Sequence, residues 1–265
     1  MEARKIIITG AATRMGAAIA KKLSGPNVEI VIHFNKSKSK AENLKKDLNK
    51  NGTKIYLVKA DLTKENEIER MLKFSKSKLK YFDCLINNAS LFENDKLDNF
   101  TTKSWDSHLK ANLKAPALLS QAFAKNIRGK NNNIINIIDQ RVFKLTPYFF
   151  SYTLSKTGLY TLTKTSAMSL APNIRVNGIA PGPTIKNKRQ SDKHFKKQYM
   201  ATPLKKQTDV QEICNAIDFF IKNRSITGQV LAIDSGQSLN WQTPDIMGGN
   251  CLLYTSDAAD EWLRG

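Results

Sequence analysis

Short runs of β-branched and other apolar residues alternate along this chain with longer stretches in which apolar positions recur every three or four residues. The short runs predict strands, and the amphipathic stretches between them predict helices. The predicted strands are 4–9, 28–34, 53–59, 82–87, 133–138, 174–179 and 230–233. The predicted helices are 14–24, 38–50, 64–78, 103–127, 150–171 and 209–222.

A repeated alternation of strand, helix and strand predicts right-handed crossovers and a mostly parallel sheet. The expected fold class is therefore α/β, a single-domain, Rossmann-like, doubly wound sheet of about seven strands. Residues 181–207 break the alternation as a long polar stretch after the sixth strand. Because a loop of that length in a compact domain is usually functional, we expect residues 183–206 to form a lid over a ligand crevice.

The last residues of the chain do not continue this pattern. Residues 251–261 read CLLYTSDAADE, which matches the translation of a transposon-type sequencing adapter in one reading frame. We therefore interpret 250–265 as a non-native, adapter-derived tail, the alternative being a native amphipathic extension. The functional domain is expected to span 1–249.

The charge of the chain raises the question of a polyanionic partner. Lys and Arg number 42 against 23 Asp and Glu, a formal net charge of +19, and such an excess is typical of nucleic-acid-binding proteins. Here the excess is spread along the whole chain and accompanies many Asn and Ile, which share A/T-rich codons with Lys. Genome composition therefore explains the pattern, and we do not expect nucleic acid as a partner.

The lengths of the apolar runs and the positions of the cysteines indicate whether a membrane is contacted and which compartment to expect. No apolar run approaches the ~18 residues of a membrane-spanning helix, so no membrane contact is expected. The three cysteines, Cys84, Cys214 and Cys251, are scattered. They predict a reducing compartment, the cytoplasm, and no metal cluster.

The first predicted strand is followed at once by a glycine-containing turn, 9–16 (TGAATRMG), that opens the first helix. Glycine at position 10 allows a tight turn, and glycine at 16 allows the helix start to pack close to the strand. Backbone N–H groups and the helix dipole then face a pyrophosphate. The turn therefore predicts a dinucleotide site at Gly10, Arg14, Met15 and Gly16, the alternative being an ordinary strand–helix turn.

The end of the second strand, 33–37 (HFNKS), carries no Asp or Glu to bind a ribose 2′-hydroxyl, as an NAD-selective site does. Lys36 and Ser37 instead offer a cation and a hydroxyl to a 2′-phosphate, so NADPH is the predicted cofactor. The alternative is that Lys36 is an ordinary surface lysine. Asp61 is predicted to bind the adenine amino group. Asn88, Ala89 and Ser90 close the fourth strand with small, mostly polar residues, which let the backbone approach the cofactor.

Tyr152 and Lys156 place a phenol and an ammonium group at i and i+4, on one face of a predicted helix. A free tyrosine has a pKa near ~10 and exchanges protons poorly at neutral pH. A nearby ammonium group stabilises the phenolate, so we expect Lys156 to lower the pKa of Tyr152 toward the working range.

Together these motifs resemble the short-chain dehydrogenase/reductase family over 4–241, through TGAATRMG, NNAS, KANLKAP, YTLSK and APGPT. The resemblance implies that Tyr152 is the acid/base and that Lys156 holds the nicotinamide ribose. It also implies cofactor contacts at His33, Leu62, Tyr152, Lys156, Pro181 and Gly182. It implies that Asn112 carries a proton-relay water on a kinked helix, and Pro116 is consistent with a local break. It also implies a homotetramer built on the 103–127 and 150–171 helices.

Two positions depart from the common pattern of that family. Arg14 replaces its central glycine, and Asp139, 13 residues before the tyrosine, replaces its catalytic serine. Both departures are similar to the pteridine reductase branch, which includes bacterial dihydromonapterin and dihydrofolate reductases. The matching positions are Arg14, 33–37, Ser90, Phe92, Asp139, Tyr152 and Lys156. The resemblance implies NADPH-dependent reduction of a pterin-like heterocycle, with Asp139, Tyr152, Lys156 and Asn112 as catalytic residues.

The chemistry of a pterin agrees with these residue types. Phe92 can stack on one face of the flat ring, and the planar fork of Arg14 can bind both phosphate and pterin edge. A carboxyl group at 139 suits a heterocycle that gains a proton on nitrogen. The predicted substrate contacts are Arg14, Ser90, Phe92, Asp139 and Tyr152. A second pocket aromatic is left open among Tyr148, Phe149 and Phe150, which core or interface packing also explains.

Other interpretations stay open at this point. One is a carbonyl reductase of the 3-oxoacyl or sugar-dehydrogenase type, which requires a hydroxyl where Asp139 stands. Another is a catalytically idle NADP-binding regulatory protein. The basic lid residues can meet an anionic substrate group or form a solvated loop; they are Lys186, Lys188, Arg189, Lys193, Lys196 and Lys197. His108 and His194 are expected at the surface.

Overall fold

The structure, a computed structural model, describes residues 4–187 and 190–241. Within them, seven parallel strands form one sheet in the order β3-β2-β1-β4-β5-β6-β7. The strands are β1 (Arg4–Ile8), β2 (Val28–Phe34), β3 (Lys54–Lys59), β4 (Cys84–Asn87), β5 (Asn132–Ile137), β6 (Ile174–Pro181) and β7 (Val230–Ile233). The helices are α1 (Arg14–Leu23), α2 (Lys38–Asn49), α3 (Glu65–Leu79), α4 (Thr102–Leu109), α5 (Ala115–Ala124), α6 (Phe150–Leu170), α7 (Asp192–Met200) and α8 (Val210–Lys222). The predicted fold class is confirmed.

Helices cover both faces of the sheet, and the side chains of β1 pack against both layers. Because side chains alternate along a strand, Ile6 and Ile8 enter the apolar cluster on the face of α1 and α8. Ile7 enters the cluster on the face of α3 and α5. A strand buried on both sides reads as a continuous apolar run, which is why these strands were recognisable in the sequence.

The strand order reverses at β1, which pairs with β2 on one side and with β4 on the other. In open parallel sheets of this kind a crevice forms beyond the carboxyl ends of the strands at the reversal point. The turn after β1 and the segment after β4 therefore face each other across the crevice. The fold alone predicts a ligand site there.

The predicted helix 103–127 is interrupted. The structure has α4, then a π-helical segment over Lys110–Lys114, then α5. Pro116 lies in the first turn of α5 and has no amide hydrogen to donate to the carbonyl oxygen of residue 112, so the regular α-helical bonding cannot continue through this point. Asn112 is in the middle of the π segment, a type of helix defect that is frequent at functional sites. The local break expected near Pro116 is thus confirmed.

The stretch 183–206, expected as a weakly periodic lid, contains α7. The side chain of Ser191 begins this helix by accepting a hydrogen bond from the backbone N–H of His194 at 3.1 Å, a standard N-cap. Phe195 is the buried residue of the helix. The predicted tail 250–265, the end of the expected domain 1–249, and the lid residues Lys188 and Arg189 lie outside the described residues.

None of the helices in the described ranges combines the length and the apolar character that a bilayer crossing requires. Within the same ranges, His, Cys, Asp and Glu side chains form no group of three that can hold a metal ion. The homotetramer and the cytoplasmic location stay predictions.

Arg175, on β6, fixes the end of α8 against the sheet. Its buried guanidinium donates hydrogen bonds to the carbonyl oxygens of Phe220 at 2.6 Å, Ile221 at 3.0 Å and Asn223 at 2.8 Å. Carbonyl groups at a helix end have no intrahelical partner. Arg175 therefore satisfies groups whose burial would otherwise cost free energy.

We expect Arg175→Met to lower the free energy of unfolding by about 2 kcal/mol or more, because it leaves these buried carbonyl groups unpaired. Urea denaturation followed by circular dichroism measures the change. Arg224→Met, at an exposed neighbouring position, is the matched control and should change stability little. Equal stability of the two variants would contradict the role given to Arg175.

Candidate active site

A cavity of about 1010 Å³ lies at the carboxyl ends of the strands, at the upper end of the range for ligand sites. It brings together most of the residues singled out in the sequence: Gly10, Arg14, Met15, Gly16, His33, Asp61, Leu62, Asn88, Ala89, Ser90, Phe92, Asp139, Tyr152, Lys156, Pro181 and Gly182. Lys36, Ser37 and Asn112 are not among the lining residues. The cavity is also lined by α7 and the segment before it, so the lid covers it as expected.

The turn between β1 and α1 has the geometry of an anion site. Gly10 has a φ of +61°, and a Cβ atom on Gly16 would overlap the carbonyl oxygen of Gly10, so both glycines are required by the backbone. The first turn of α1 contains no acidic residue, and the N-cap side chain of Thr13 makes no capping bond. The N–H groups at the helix start are therefore available to a phosphate group of a ligand in the cavity.

His33, on β2, fixes this turn by hydrogen bonds to the backbone. Its Nδ1 accepts a hydrogen bond from the backbone N–H of Gly10 at 3.1 Å, and its Nε2 lies 3.0 Å from the carbonyl oxygen of Ala60. These partners assign the neutral tautomer with the proton on Nε2. Burial lowers the pKa of His33, although the Ala60 carbonyl and the charge of Asp61 oppose the shift. His33 therefore supports the turn as a neutral group.

Asp61 and Lys36 lie near each other at the β2 and β3 side of the cavity. Desolvation raises the pKa of Asp61, but hydrogen bonds from Thr63 and the charges of Lys64 and Lys36 outweigh it, so the net shift is downward. Asp61 is thus an ionised acceptor in the cavity wall. Lys36 is exposed, and Ser37 is the N-cap of α2 without a side-chain capping bond. Asn35, which sequence reasoning passed over, lines the cavity.

Asp139, Tyr152 and Lys156 converge in the cavity. The phenol of Tyr152 donates a hydrogen bond to Oδ2 of Asp139 at 2.7 Å. The ammonium of Lys156 donates to the carbonyl oxygen of Ile137 at 2.8 Å and lies 5.8 Å from the centre of the tyrosine ring. Oδ1 of Asp139 accepts from the backbone N–H of Arg141 at 2.9 Å. The carboxyl group at 139 therefore faces the cavity, linked to the phenol.

The electrostatics of this group differ from the sequence expectation. Burial, and then the charge and hydrogen bond of Asp139, raise the pKa of Tyr152 well above its ordinary value. Burial lowers the pKa of Lys156 to about 8, with Asp139 opposing the shift. The expectation that Lys156 lowers the pKa of Tyr152 is corrected, because burial of the phenol and then the charge of Asp139 both raise this pKa. Tyr152 is a proton donor here.

Arg14 lies at the mouth of the cavity and holds the lid. Its backbone is left-handed, with a φ of 54°. Its guanidinium donates to the carbonyl oxygens of Ile185 at 2.9 Å and Lys186 at 3.1 Å. The sequence assigned Arg14 to phosphate and substrate; the structure adds a contact to the lid that no local sequence signal announces.

Phe92 is paired with a second aromatic ring. The ring of Phe149 stacks on it at 4.5 Å and 6°, and Tyr152 meets it edge-on at 4.7 Å. The guanidinium of Arg141 lies 4.7 Å from the centre of Phe149 and 5.3 Å from that of Phe92. Phe149 thus resolves the open choice among the three aromatics before α6. One face of Phe92 is covered by Phe149, so a flat ligand has only the other face or an edge of Phe92.

Asn112 holds the loop after β4 rather than lining the cavity. Its Oδ1 accepts from the backbone N–H of Leu91 at 2.8 Å, and its Nδ2 donates to the Leu91 carbonyl at 3.0 Å and to Oγ of Ser155 at 3.0 Å. Ser90 Oγ also donates to Oδ1 at 3.2 Å. These four bonds use the amide side chain fully. The relay water expected from the resemblance therefore has no site on this side chain.

A buried polar network attaches the same loop to α6, and it corrects the expectation that His108 lies at the surface. His108, expected at the surface, is 1% exposed, and its Nδ1 lies 2.6 Å from Oγ of Ser151. Its Nε2 accepts from the backbone N–H of Glu93 at 3.2 Å, and Ser151 Oγ donates to Asp95. Sequence reasoning missed this network because its members come from three separate segments. It fixes the loop of Phe92 to the start of α6.

His194 and the described lid lysines lie on α7 or just before it. His194 is exposed on α7, as expected, but its side chain also borders the cavity. Lys186 borders Asp192 in an exposed ion pair at 2.7 Å, and Lys193, Lys196 and Lys197 are exposed. None of the lid lysines in the described part of the chain is among the cavity-lining residues.

A family model described as short chain dehydrogenase matches residues 4–197. The chain is 34% identical over 236 residues to the 3-oxoacyl-[acyl-carrier-protein] reductase FabG of Buchnera aphidicola, covering 87% of this chain and 95% of that protein.

Among solved structures, the chain is similar to the FolM alternative dihydrofolate reductase 1 of Brucella canis complexed with NADP. The TM-score is 0.87 and the identity 41%, over 91% of this chain and 96% of that one. The corresponding protein of Brucella suis, also in complex with NADP, gives a TM-score of 0.87 and 40% identity over 91% and 98% of the two chains.

The neutral state of His33 predicts a pH dependence of stability. A buried histidine with a lowered pKa stays neutral when folded but gains a proton when unfolded below about pH 6.5. The contribution of His33 to the free energy of unfolding is therefore fully present above about pH 6.5 and decreases as the pH falls toward the pKa of the folded state. We expect His33→Asn to destabilise the protein most at pH 7–8 and less at pH 5, as measured by urea unfolding. His194→Asn, at an exposed position, should show no such trend; a constant deficit in His33→Asn would contradict the assignment.

Proposed function

Because the chain belongs to the short chain dehydrogenase family, we propose that it is an NADPH-dependent reductase of a pterin-like heterocycle such as a dihydropterin, dihydromonapterin or dihydrofolate. The observation that carries the proposal is the 2.7 Å hydrogen bond from the phenol of Tyr152 to the carboxyl group of Asp139 inside the cavity. A carboxyl group at this place can hydrogen-bond to, and protonate, a ring nitrogen. The 40–41% identity to the two FolM dihydrofolate reductases supports the same substrate class.

The cofactor assignment is supported by the shape of the cavity wall. The turn with Gly10 and Gly16 leaves a backbone cradle that a Cβ atom would fill, and the start of α1 offers N–H groups to a pyrophosphate. Asp61, ionised in the wall, suits the adenine amino group, and Lys36 suits a 2′-phosphate. The similar FolM structures are complexes with NADP. These residues fit NADPH.

When it is bound, NADPH supplies the hydride. Tyr152, whose raised pKa keeps it protonated, transfers its proton to Oδ2 of the Asp139 carboxylate along the hydrogen bond that joins them. Asp139, then a neutral carboxylic acid, passes this proton to the ring nitrogen of the heterocycle and becomes a carboxylate again, so the phenol has lost the proton that the substrate gains. The ammonium of Lys156, 5.8 Å from the centre of the tyrosine ring, would offset part of the charge of the phenolate and would hold the nicotinamide ribose of a bound cofactor. Asn112 acts through the loop of Ser90 and Leu91, which it positions.

The aromatic wall supports a flat substrate. Phe92 is held by Phe149 and Tyr152, so its ring has a fixed orientation in the cavity wall, where it can contact a heterocycle. Aromatic contacts of this kind favour planar ligands. Arg14 adds a planar donor at the cavity mouth, suited to a pterin edge or a phosphate.

Reduction of a 3-oxoacyl thioester is the second candidate, because the Buchnera relative named as such a reductase is 34% identical over nearly its whole length. A carbonyl substrate is polarised by a hydroxyl donor beside the tyrosine. Here that position is Asp139, whose Oδ1 already accepts from Arg141. The charge and hydrogen bonds of this carboxylate favour the heterocycle over the ketone.

We expect Asp139→Ala and Tyr152→Phe each to reduce kcat on a dihydropterin at least about 100-fold, since each removes a member of the proton path. Oxidation of NADPH, followed by absorbance with dihydrobiopterin, dihydrofolate and an acetoacetyl thioester, measures the effect. Asp139→Ser should favour the thioester relative to the pterins.

Turnover of the thioester alone by the natural protein would support the second candidate instead. Tight NADPH binding without turnover of any of the three substrates would indicate an idle NADP-binding protein. Retention of pterin activity in Asp139→Ala would contradict the proton path.

The cofactor preference has its own test. We expect Lys36→Asp to reduce the preference for NADPH over NADH in kcat/KM by about tenfold or more, because the new carboxylate repels the 2′-phosphate and accepts from a 2′-hydroxyl. Lys40→Asp, exposed nearby on α2, makes the same change of charge and should leave the preference nearly unchanged. An unaltered ratio in Lys36→Asp would remove Lys36 from the cofactor site.

A further inference from the structure

Hydrogen bonds join the loop after β4 to the start of α6. The backbone N–H of Ser151 donates to Oδ1 of Asp95 at 3.0 Å, and the backbone N–H of Phe149 donates to Oδ1 of Asn94 at 3.2 Å. Phe92, on the same loop, stacks on Phe149, and both rings line the cavity. The orientation of these two rings therefore depends on how the loop is held against the helix.

His108, on α4, is hydrogen-bonded to both of these segments. Its Nε2 accepts from the backbone N–H of Glu93 at 3.2 Å, and its Nδ1 lies 2.6 Å from Oγ of Ser151. Because the hydroxyl of Ser151 donates its proton to Asp95, its oxygen accepts from His108. These partners assign the neutral ring with the proton on Nδ1, which leaves Nε2 as the acceptor for the loop.

Protonation of His108 would break its bond to the loop. An imidazolium carries N–H groups on both ring nitrogens, so Nε2 could no longer accept from Glu93 and two donors would point at each other. Glu93 directly follows Phe92 in the chain. Release of the Glu93 backbone would therefore free the residue beside the aromatic ring of the cavity wall.

The groups that face His108 act on its ionisation in opposite directions. The carboxylates of Glu93 and Asp95, both on the loop, favour the imidazolium, but burial is the larger effect, and the pKa of His108 is lowered overall. From α6, the phenol ring of Tyr152 meets the imidazole edge-on, with ring centres 5.9 Å apart. His108 is therefore neutral at neutral pH and gains its proton below its ordinary pKa of about 6.5.

We infer that His108 is a positioning residue, which in its neutral form holds the loop of Phe92 against α6 and so sets the affinity for the substrate. Within the described part of the chain His108 is not one of the cavity-lining residues, so it acts through the loop and not by contact. The inference rests on the proposed function, because it concerns the flat substrate that Phe92 contacts.

The pH dependence of KM tests the inference. In the natural protein we expect KM for a dihydropterin to rise about threefold or more between pH 7.5 and pH 5, as His108 gains a proton and the Glu93 bond is lost. KM for NADPH should change less, because the glycine turn that fits the cofactor lies between β1 and α1. Steady-state oxidation of NADPH measures both constants.

Two substitutions at position 108 separate ionisation from packing. His108→Gln keeps an acceptor and a donor but does not ionise in this range, so KM should stay nearly constant with pH. His108→Phe keeps a ring beside Tyr152 but offers no acceptor, so KM should be raised about fivefold or more already at pH 7.5. A melting temperature close to that of the natural protein shows that each variant is folded.

His194→Gln is the matched control, because His194 is exposed and also borders the cavity. The same substitution there should keep the rise of KM at acid pH. A rise that disappears in His194→Gln and persists in His108→Gln would assign the titration to the lid and overturn the role of His108.

Hydrogen–deuterium exchange gives a second readout that needs no substrate. The amide of Glu93 should be protected at pH 7.5 in the natural protein and lose protection toward pH 5, after correction for the intrinsic exchange rate. His108→Gln should keep the protection at both pH values, and His108→Phe should lack it at both.

The outcomes distinguish this inference from the proposed function. Turnover of dihydropterins with the same pH dependence of KM in the natural protein and in His108→Gln would overturn the positioning role while leaving pterin reduction intact. Turnover of no dihydropterin by the natural protein would refute the proposed function, and with it a role of His108 in binding that substrate. A rise of KM that is lost in His108→Gln and kept in His194→Gln, together with the exchange of Glu93, supports the inference.

Discussion

β1 is hydrogen-bonded to β2 on one side and to β4 on the other, so the chain crosses over in opposite directions from the middle of the sheet. The carboxyl ends of the strands therefore face a crevice rather than a covering helix. The glycine turn after β1, the loop after β4 and Asp139 after β5 all open into it. Without that reversal, residues from segments more than a hundred positions apart would not share one cavity.

Within the cavity, burial has the largest effect on the pKa values of Tyr152 and Lys156. Tyr152 and Lys156 are both buried, and burial acts against the charged form of each. The pKa of the phenol is therefore raised, and that of the ammonium is lowered to about 8. Asp139 reinforces the first shift and opposes the second. The result is a phenol that keeps its proton and is hydrogen-bonded to a carboxylate.

The loop after β4 shows how the substrate wall is held. Asn112, in the π segment, binds the loop at Leu91, and the network of His108, Ser151 and Asp95 binds it again at the start of α6. Phe92 lies between these two attachments, stacked on Phe149. Because the same helix start carries Tyr152, the aromatic rings and the phenol are attached to one element.

Local patterns in the sequence predicted the strands, the parallel sheet and most of the residues that line the cavity. Continuous apolar runs, the glycine turn, and the i, i+4 pair of Tyr152 and Lys156 each involve neighbouring residues, so they are recognisable without a structure. Even the interruption of helix 103–127 had a local cause in Pro116. Arg14 and Asp139, through the resemblance to the pteridine reductase branch, suggested a heterocycle as substrate.

The partners of those residues come from distant segments, so folding alone brings them together. The pKa of Tyr152 is raised first by burial and then by the charge and hydrogen bond of Asp139. His108 is buried because Ser151 and Glu93 meet it across two elements, and Phe149 joins the site through a left-handed backbone at its own position. Hydrogen bonding and burial are properties of the folded chain, so a pattern of neighbouring residues does not reveal them.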